Sequence, residues 1–194
     1  MVDKIMIDRI SELQKKQIMD FAKKRASEND QFHNIEHLEE TAANAVRLAK
    51  AEGANQSICW VAGILHDICK SKEGDHAVNG AMEAKEFLTG IGVGKKFTES
   101  VSDAIYYHNK DFTDGPIERK ILWDADKLPM MHVEGFKKRL LPFWVLRLGK
   151  EEGTKKAIEE YYFYKVRFHT NTARKEVLED KEAESFISII SKLR

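Results

Sequence analysis

An all-α fold is the first expectation, and three features of the sequence carry it. Apolar residues recur at intervals of three and four along nearly the whole chain, no stretch alternates convincingly with the period of two that marks a strand, and only three prolines interrupt 194 residues. In order, the periodic stretches predict helices over residues 7–24, 37–53, 56–68, 76–92, 97–108, 117–131 and 173–193. Gly53, the GIGVG run at 90–94 and Gly115-Pro116 supply the stops between them. The stretch FKKRLLPFWVLRLGK reads as an amphipathic helical hairpin broken at Pro142, and YYFYK at 161–165 as a helical run suited to core or to a dimer surface.

With 42% apolar residues the chain can build one sizeable core, and no Pro-, Gly- or Ser-rich linker divides it, so a single domain over 1–194 is expected. No internal repeat points to a solenoid. Thirty-two basic residues balance thirty-two acidic ones. No global field therefore draws the protein to nucleic acid or to an anionic membrane, and partners must be read from local sites. MVDKIMIDRISELQKK lacks the apolar core of a signal peptide, and no run of about eighteen apolar residues could span a bilayer. A cytoplasmic location is the expectation. Cys59 and Cys69 fall on one predicted helix, too far apart along a rigid rod to bridge, and read as reduced thiols.

The chemistry starts at GILHDICK, where His66 and Asp67 stand at the inner end of the apolar run CWVAGIL. Burying an unpaired charge there costs several kcal/mol, so the pair needs a partner. Four more of the seven histidines suggest one: His33 and His37 in FHNIEHLEET, His76 in DHAVNGA and His108 in YYHNK, joined by two aspartates in ILWDADKL. Imidazoles and carboxylates together suit Mn, Fe, Co, Ni or Zn, and a bound divalent cation turns costly buried groups into ligands. Asp124 and Asp126 are two apart, point to different sides of a helix, and flank the Ile121-Ala125-Leu128 stripe symmetrically. Periodicity does not choose between them.

The ordered set His37, His66-Asp67, Asp126 resembles the H…HD…D signature of the HD-domain metal-dependent phosphohydrolase superfamily. More closely, FHNIEHLEETAANAVRLAKAEG, AGILHDICK, HAVNGAMEAKEFL and ILWDADKL are similar to small stand-alone bacterial HD hydrolases, whose pattern runs HDxxH, LHDIG(K/R), HxxxGA and DADRL. The likeness is strong over about residues 30–130 and less specific beyond Thr170. It implies a helical bundle around a divalent ion held by His37, His66, Asp67 and Asp126, with helices over about 132–194 packed on that metal-site core. The DADRL match selects Asp126 and leaves Asp124 a structural carboxylate. Two departures stand out. Asn34 occupies a position where relatives often have Asp, and Cys69 replaces the glycine of HDIG, adding a side chain where a phosphate would approach the backbone.

The same resemblance assigns the remaining roles. Asp67 is expected to hold both metal and water. Lys70, three residues on, matches the phosphate-binding lysine of HDIGK-type sequences. His76 and His108 are expected to contact the substrate phosphate, since His76 follows Asp67 by a gap short for a ligand of a second metal. The catalytic set is then Asp67, Lys70, His76 and His108. The implied activity is hydrolysis of a nucleotide or related small-molecule phosphoester with Mn, Mg, Co, Ni, Fe or Zn as cofactor, without nucleic acid or membrane partners, and with a homodimer as the candidate assembly. Two rivals are a dinuclear iron oxygenase of related architecture and a non-catalytic nucleotide-sensing module.

Overall fold

The computed structural model describes residues 10–192, and these contain helices and turns with no strand. Residues 7–9 of the first expected helix, Leu193 of the last, and most of the stretch read for a signal peptide lie outside the described residues. The chain forms two compact units, divided after Asp126.

Six helices build the first unit. Helix α1 is Glu12–Ala26, opened by a reciprocal capping box between Ser11 and Gln14. Helix α2 is Ile35–Glu52, with Asn34 as N-cap: its side chain accepts from the His37 amide at 3.1 Å. The Asn that departs from the family pattern thus does cap work for which a neutral amide suffices. Gly53, at φ 73°, closes α2 in the left-handed region. Helix α3 is Gln56–Leu65, α4 is His76–Gly90 behind an Asp75 cap, α5 is Lys95–Tyr107 and α6 is Ile117–Lys127. Their apolar faces meet in one core that includes Ile18, Leu38, Val61, Leu65, Leu88, Phe97, Val101, Ile105 and Leu122.

Two of these packings are close enough to need small residues. A Cβ placed on Gly63 of α3 would lie 2.6 Å from the Cα and 2.8 Å from the N of Ala42 on α2. A Cβ on Gly80 of α4 would lie 3.3 Å from the His66 carbonyl oxygen.

The helix expected over 56–68 ends at Leu65, and residues 66–71 form successive turns with bonds from Ile68 N to Leu65 O, Lys70 N to Asp67 O and Lys72 N to Cys69 O. The reason is local competition: Asn29 hydrogen-bonds both the Asp67 carbonyl and the Ser71 amide, the two groups that a continuing helix would join. Cys59 and Cys69 therefore do not share a helix, and both are free and buried.

The second unit begins with a 3₁₀ turn, Leu128–Met131, followed by helical backbone over Val133–Gly135 and a wider π-type turn over Phe136–Leu140. Helices α7 (Leu141–Leu148), α8 (Lys150–Lys165), α9 (Asn171–Glu179) and α10 (Lys181–Lys192) complete it. The hairpin expected to break at Pro142 reverses instead at Gly149, φ 79°. Pro142 sits in the first turn of α7, where a missing N–H costs little. Tyr161 of the YYFYK run is buried and meets the Phe136 ring edge-on, while Tyr162 and Phe163 are exposed. The helix expected over 173–193 breaks at Asp180, which caps α10 by accepting from the Ala183 amide at 2.9 Å. No helix among the described residues is long and apolar enough to cross a membrane.

His132 ties this unit together through two carboxylates: its Nδ1 lies 2.6 Å from Asp180 Oδ2 and its Nε2 3.2 Å from Glu176 Oε1. Partial burial opposes ionisation of Asp180, but the Ala183 amide and His132 outweigh it and hold its carboxyl below the usual 3.8. A carboxyl lowered on folding stabilises the native state above its unfolded pKa and loses that contribution as pH falls through the folded value. Thermal melts of Asp180→Asn should show a deficit against wild type at about pH 6 that shrinks as acidification protonates the carboxyl below its usual range. A deficit independent of pH overturns the assignment.

Candidate metal centre

The candidate site residues arrive from five places in the first unit. His37 lies in the first turn of α2, His66 and Asp67 on the turns after α3, His76 at the first position of α4, His108 at the end of α5 and Asp126 near the end of α6. All are buried except His76 and Asp126, which are partly so.

Two groups of donor atoms result. In the first, His37 Nε2 lies 3.1 Å from His66 Nε2 and 3.3 Å from Asp126 Oδ1, and His66 Nε2 lies 3.5 Å from Asp126 Oδ1. Asp67 Oδ2 closes on the same two imidazoles at 3.6 and 3.4 Å. An ion bonded at about 2.1 Å to nitrogen and oxygen donors spaces them by roughly 3.4 Å in a tetrahedron, the scale on which the His37, His66 and Asp126 donors lie from one another. In the second group, Asp67 Oδ1 lies 3.3 Å from both His76 Nε2 and His108 Nε2. Each of the two groups, His37-His66-Asp126 and Asp67-His76-His108, can hold a metal ion. Asp124 is buried on α6 and belongs to neither.

Backbone carbonyls decide which ring nitrogens face inward. A carbonyl only accepts, so His66 Nδ1 donates to Gly63 O at 2.8 Å and His108 Nδ1 donates to Ile105 O at 2.6 Å. In the neutral rings the Nε2 lone pairs are then turned toward carboxylate oxygens, the arrangement of a metal-binding imidazole. Asp67 Oδ1 is buried and accepts no hydrogen bond from the described residues. With the His76 and His108 rings at 3.3 Å and Lys70 Nζ at 3.7 Å, Asp67 Oδ1 is a position where cationic charge offsets the cost of burial.

The ionisation of the groups follows the same logic. Burial pulls His66 down, but the Asp67 and Asp126 carboxylates outweigh it and leave the imidazole pushed up to about 10. Burial also opposes ionisation of Asp67, and His66, Lys70, His108 and His37 hold it well below the ordinary carboxylate range. Burial and the Lys70 ammonium lower His76 to about 4. Lys70 Nζ stands 3.2 Å from His76 Nε2 and 3.7 Å from Asp67 Oδ1. Cys69 is turned to Glu83, donating from Sγ to Oε2 at 3.0 Å, and burial followed by that carboxylate raises the thiol to about 12.

The structure also brings in Asp75 and Asn29, which the sequence did not single out, and gives His33 its partners. Asp75 caps α4 next to His76 and takes Lys110 Nζ at 3.0 Å from the loop after His108. His33 donates from Nδ1 to Asp30 at 2.7 Å, and its ring meets that of His37 edge-on. Asn29 sits in SENDQF, which reads as an ordinary polar loop and carries no signal of its long-range partners.

This helical unit gathers imidazoles and carboxylates from five segments into two groups that could each hold a metal ion. The HD-domain model matches residues 34–131, and the chain belongs to that family. Among solved structures, it is similar to an HD superfamily hydrolase from an uncultured Thermotogales bacterium at 26% identity and TM-score 0.66, covering 97% of this chain and 94% of that one. Bacillus subtilis YpgQ, solved in complex with ADP, shares the fold at 23% identity and TM-score 0.70 over 92% of this chain and 94% of YpgQ. A bifunctional uridylyltransferase/uridylyl-removing enzyme from Ruegeria pomeroyi is 30% identical over 87 residues, 38% of this chain. The chain spans only 10% of the length of that enzyme.

The close approach at Gly63 sets the separation of His66 from His37. In an open helix Gly→Ala gains about 1 kcal/mol, but here the added methyl meets the Ala42 backbone at 2.6 Å, and overpacking against backbone costs about 1–3 kcal/mol or more. Gly63→Ala should therefore lower the melting temperature and weaken divalent-metal binding together, measured by calorimetry. An unchanged or raised melting temperature overturns this account of the contact.

Proposed function

We propose that the chain is a metal-dependent phosphohydrolase acting on a nucleotide or related phosphoester, with His37, His66, Asp67 and Asp126 holding a divalent ion. The observation that carries this reading is the convergence of four side-chain donors at 3.1–3.6 Å, with the His66 tautomer set by Gly63 O so that its Nε2 faces the carboxylates. A divalent ion held there would bring hydroxide within reach near neutral pH and polarise a phosphoryl oxygen. Asp67 suits a double role because its two oxygens face different groups: Oδ2 lies toward His37 and His66, and Oδ1 toward His76 and His108, where it could orient an attacking water. The Lys70 ammonium, beside Oδ1, is placed to offset charge gathering on phosphate oxygens. Nucleotide is the favoured substrate class because the family fold is shared with YpgQ, whose structure holds ADP.

A second reading has its own observation. His108 Nδ1 is committed to Ile105 O, so the atom its ring turns toward Asp67 Oδ1 is Nε2, the one a metal would take. With His76 Nε2 at the same oxygen, these three residues suit a second ion bridged to the first by Asp67.

Purified protein would be loaded with Mn²⁺, Mg²⁺, Co²⁺ or Ni²⁺ and given nucleoside mono-, di- and triphosphates and cyclic nucleotides, with phosphate and pyrophosphate release followed. Release that chelation abolishes is expected, with the borderline metals outperforming Mg²⁺ at a histidine-containing site. Asp67→Ala should lose most bound metal and reduce turnover beyond the roughly 10–100-fold typical of deleting a ligand's outer partner. Full metal content and activity in that variant sink the assignment. No release from any substrate, with oxygen consumption by an iron-loaded sample, moves the reading to the oxygenase. No turnover with retained nucleotide binding moves it to a sensor.

The two readings of His76 and His108 separate on stoichiometry. If they serve the phosphate, His76→Ala, His108→Ala and Lys70→Ala each keep one metal per chain and lower kcat/KM. If they hold a second ion, wild type binds two metals and either histidine variant binds one, as counted by elemental analysis.

A further inference from the structure

The His66-Asp67 pair does not lie on a regular helix, and that raises the question of what holds it in place. In a continuing helix the Ser71 amide would donate to the Asp67 carbonyl. Instead Asn29 is inserted between them: its Nδ2 donates to Asp67 O at 2.9 Å, and its Oδ1 accepts from Ser71 N at 3.2 Å. The second hydrogen on Nδ2 donates to His33 O at 3.0 Å, at the entry to the helix that carries His37. The Asn29 amide itself donates to Ala26 O at the end of α1. The carboxamide thus mimics a peptide group and joins the approach to α2 to the turn after α3, while the backbone of the same residue holds the end of α1.

We infer that Asn29 is a positioning residue of the centre, setting the peptide of Asp67 and its distance from the His37 helix so that both carboxylate oxygens meet their imidazoles. The inference rests on the metal-centre reading above and adds a residue from outside the H…HD…D set. Its physical basis is the turn series itself. Beyond the end of α3, the bonds Ile68 N to Leu65 O, Lys70 N to Asp67 O and Lys72 N to Cys69 O close three-residue turns in place of a helix, so the conformation of this stretch depends on what grips the Asp67 carbonyl and the Ser71 amide. The positions of Asp67 Oδ1 and Oδ2 follow from that backbone, and contacts of 3.3–3.6 Å on both sides leave little room for rotation. Only an amide satisfies the three bonds, because two partners are carbonyl acceptors and the third is an N–H donor. A carboxylate of the same shape would set one oxygen, in place of Nδ2, against the Asp67 and His33 carbonyls.

The test uses the full chain stripped of metal and titrated with Co²⁺, read by calorimetric Kd and by the visible absorption of the bound ion, which reports ligand geometry. Asn29→Asp keeps the acceptor for Ser71 and removes both donors; Asn29→Ser removes the bridge without adding charge. The expectation is a Co²⁺ affinity at least tenfold weaker with an altered spectrum, in the range known for outer partners of metal ligands. Wild-type affinity and spectrum in a folded variant, even with a lowered melting temperature, make Asn29 merely structural and overturn the inference. If Asn29→Asp does not fold, Asn29→Ser carries the test, and failure of both to fold also overturns it. Wild-type protein that takes up no Co²⁺ instead removes the metal-centre reading, and the inference with it, a result visible before any variant is made.

Discussion

One buried carboxylate organises the first unit. Asp67 presents Oδ2 to His37 and His66 and Oδ1 to His76 and His108, so four imidazoles from four segments converge on a single side chain. In a low-dielectric interior such a carboxylate is costly unless cationic charge lies close to it. The lowered pKa of Asp67 and the raised pKa of His66 express the same demand from its two sides. A divalent cation meets that demand with more charge than one proton, which is why the geometry reads as a metal centre rather than as a buried ion pair.

Holding those groups in register falls to packing and to backbone polar contacts. The backbone-to-backbone approach of Gly63 to Ala42 brings His37 of α2 and His66, just past α3, together, and Gly80 lets α4 come up to the His66 carbonyl. Carbonyls of Gly63 and Ile105 then orient the rings of His66 and His108, each from three residues upstream. Asn29 grips the turn between α3 and α4. Small residues set distances, carbonyls set ring orientation, and an amide sets the Asp67 backbone.

The second unit solves a different problem. Its core is built around Phe136, which meets Tyr161 and Phe186 edge-on, with aliphatic residues such as Val177 and Ile187 also buried. His132 crosslinks α9 and the start of α10 through Glu176 and Asp180. No group of His, Cys, Asp or Glu able to hold an ion includes a described residue of this unit.

The sequence by itself determined the all-α class, because the three-and-four spacing of apolar residues is a local property of each helix. It also marked His37, His66, Asp67 and Asp126 through their order in the HD signature, although periodicity alone left Asp124 and Asp126 equal. The tertiary structure decided that matter for the geometry: Asp126 Oδ1 reaches the imidazoles, and Asp124 does not enter the group. It likewise ended the third helix at Leu65, moved the hairpin reversal from Pro142 to Gly149 and cut the last helix at Asp180. Each of those breaks depends on a partner or a backbone angle that spacing does not encode. Asn29 illustrates the limit most clearly. Its bond to Asp67 crosses 38 residues of sequence, and nothing in the loop around it differs from ordinary polar chain until the fold brings the two together.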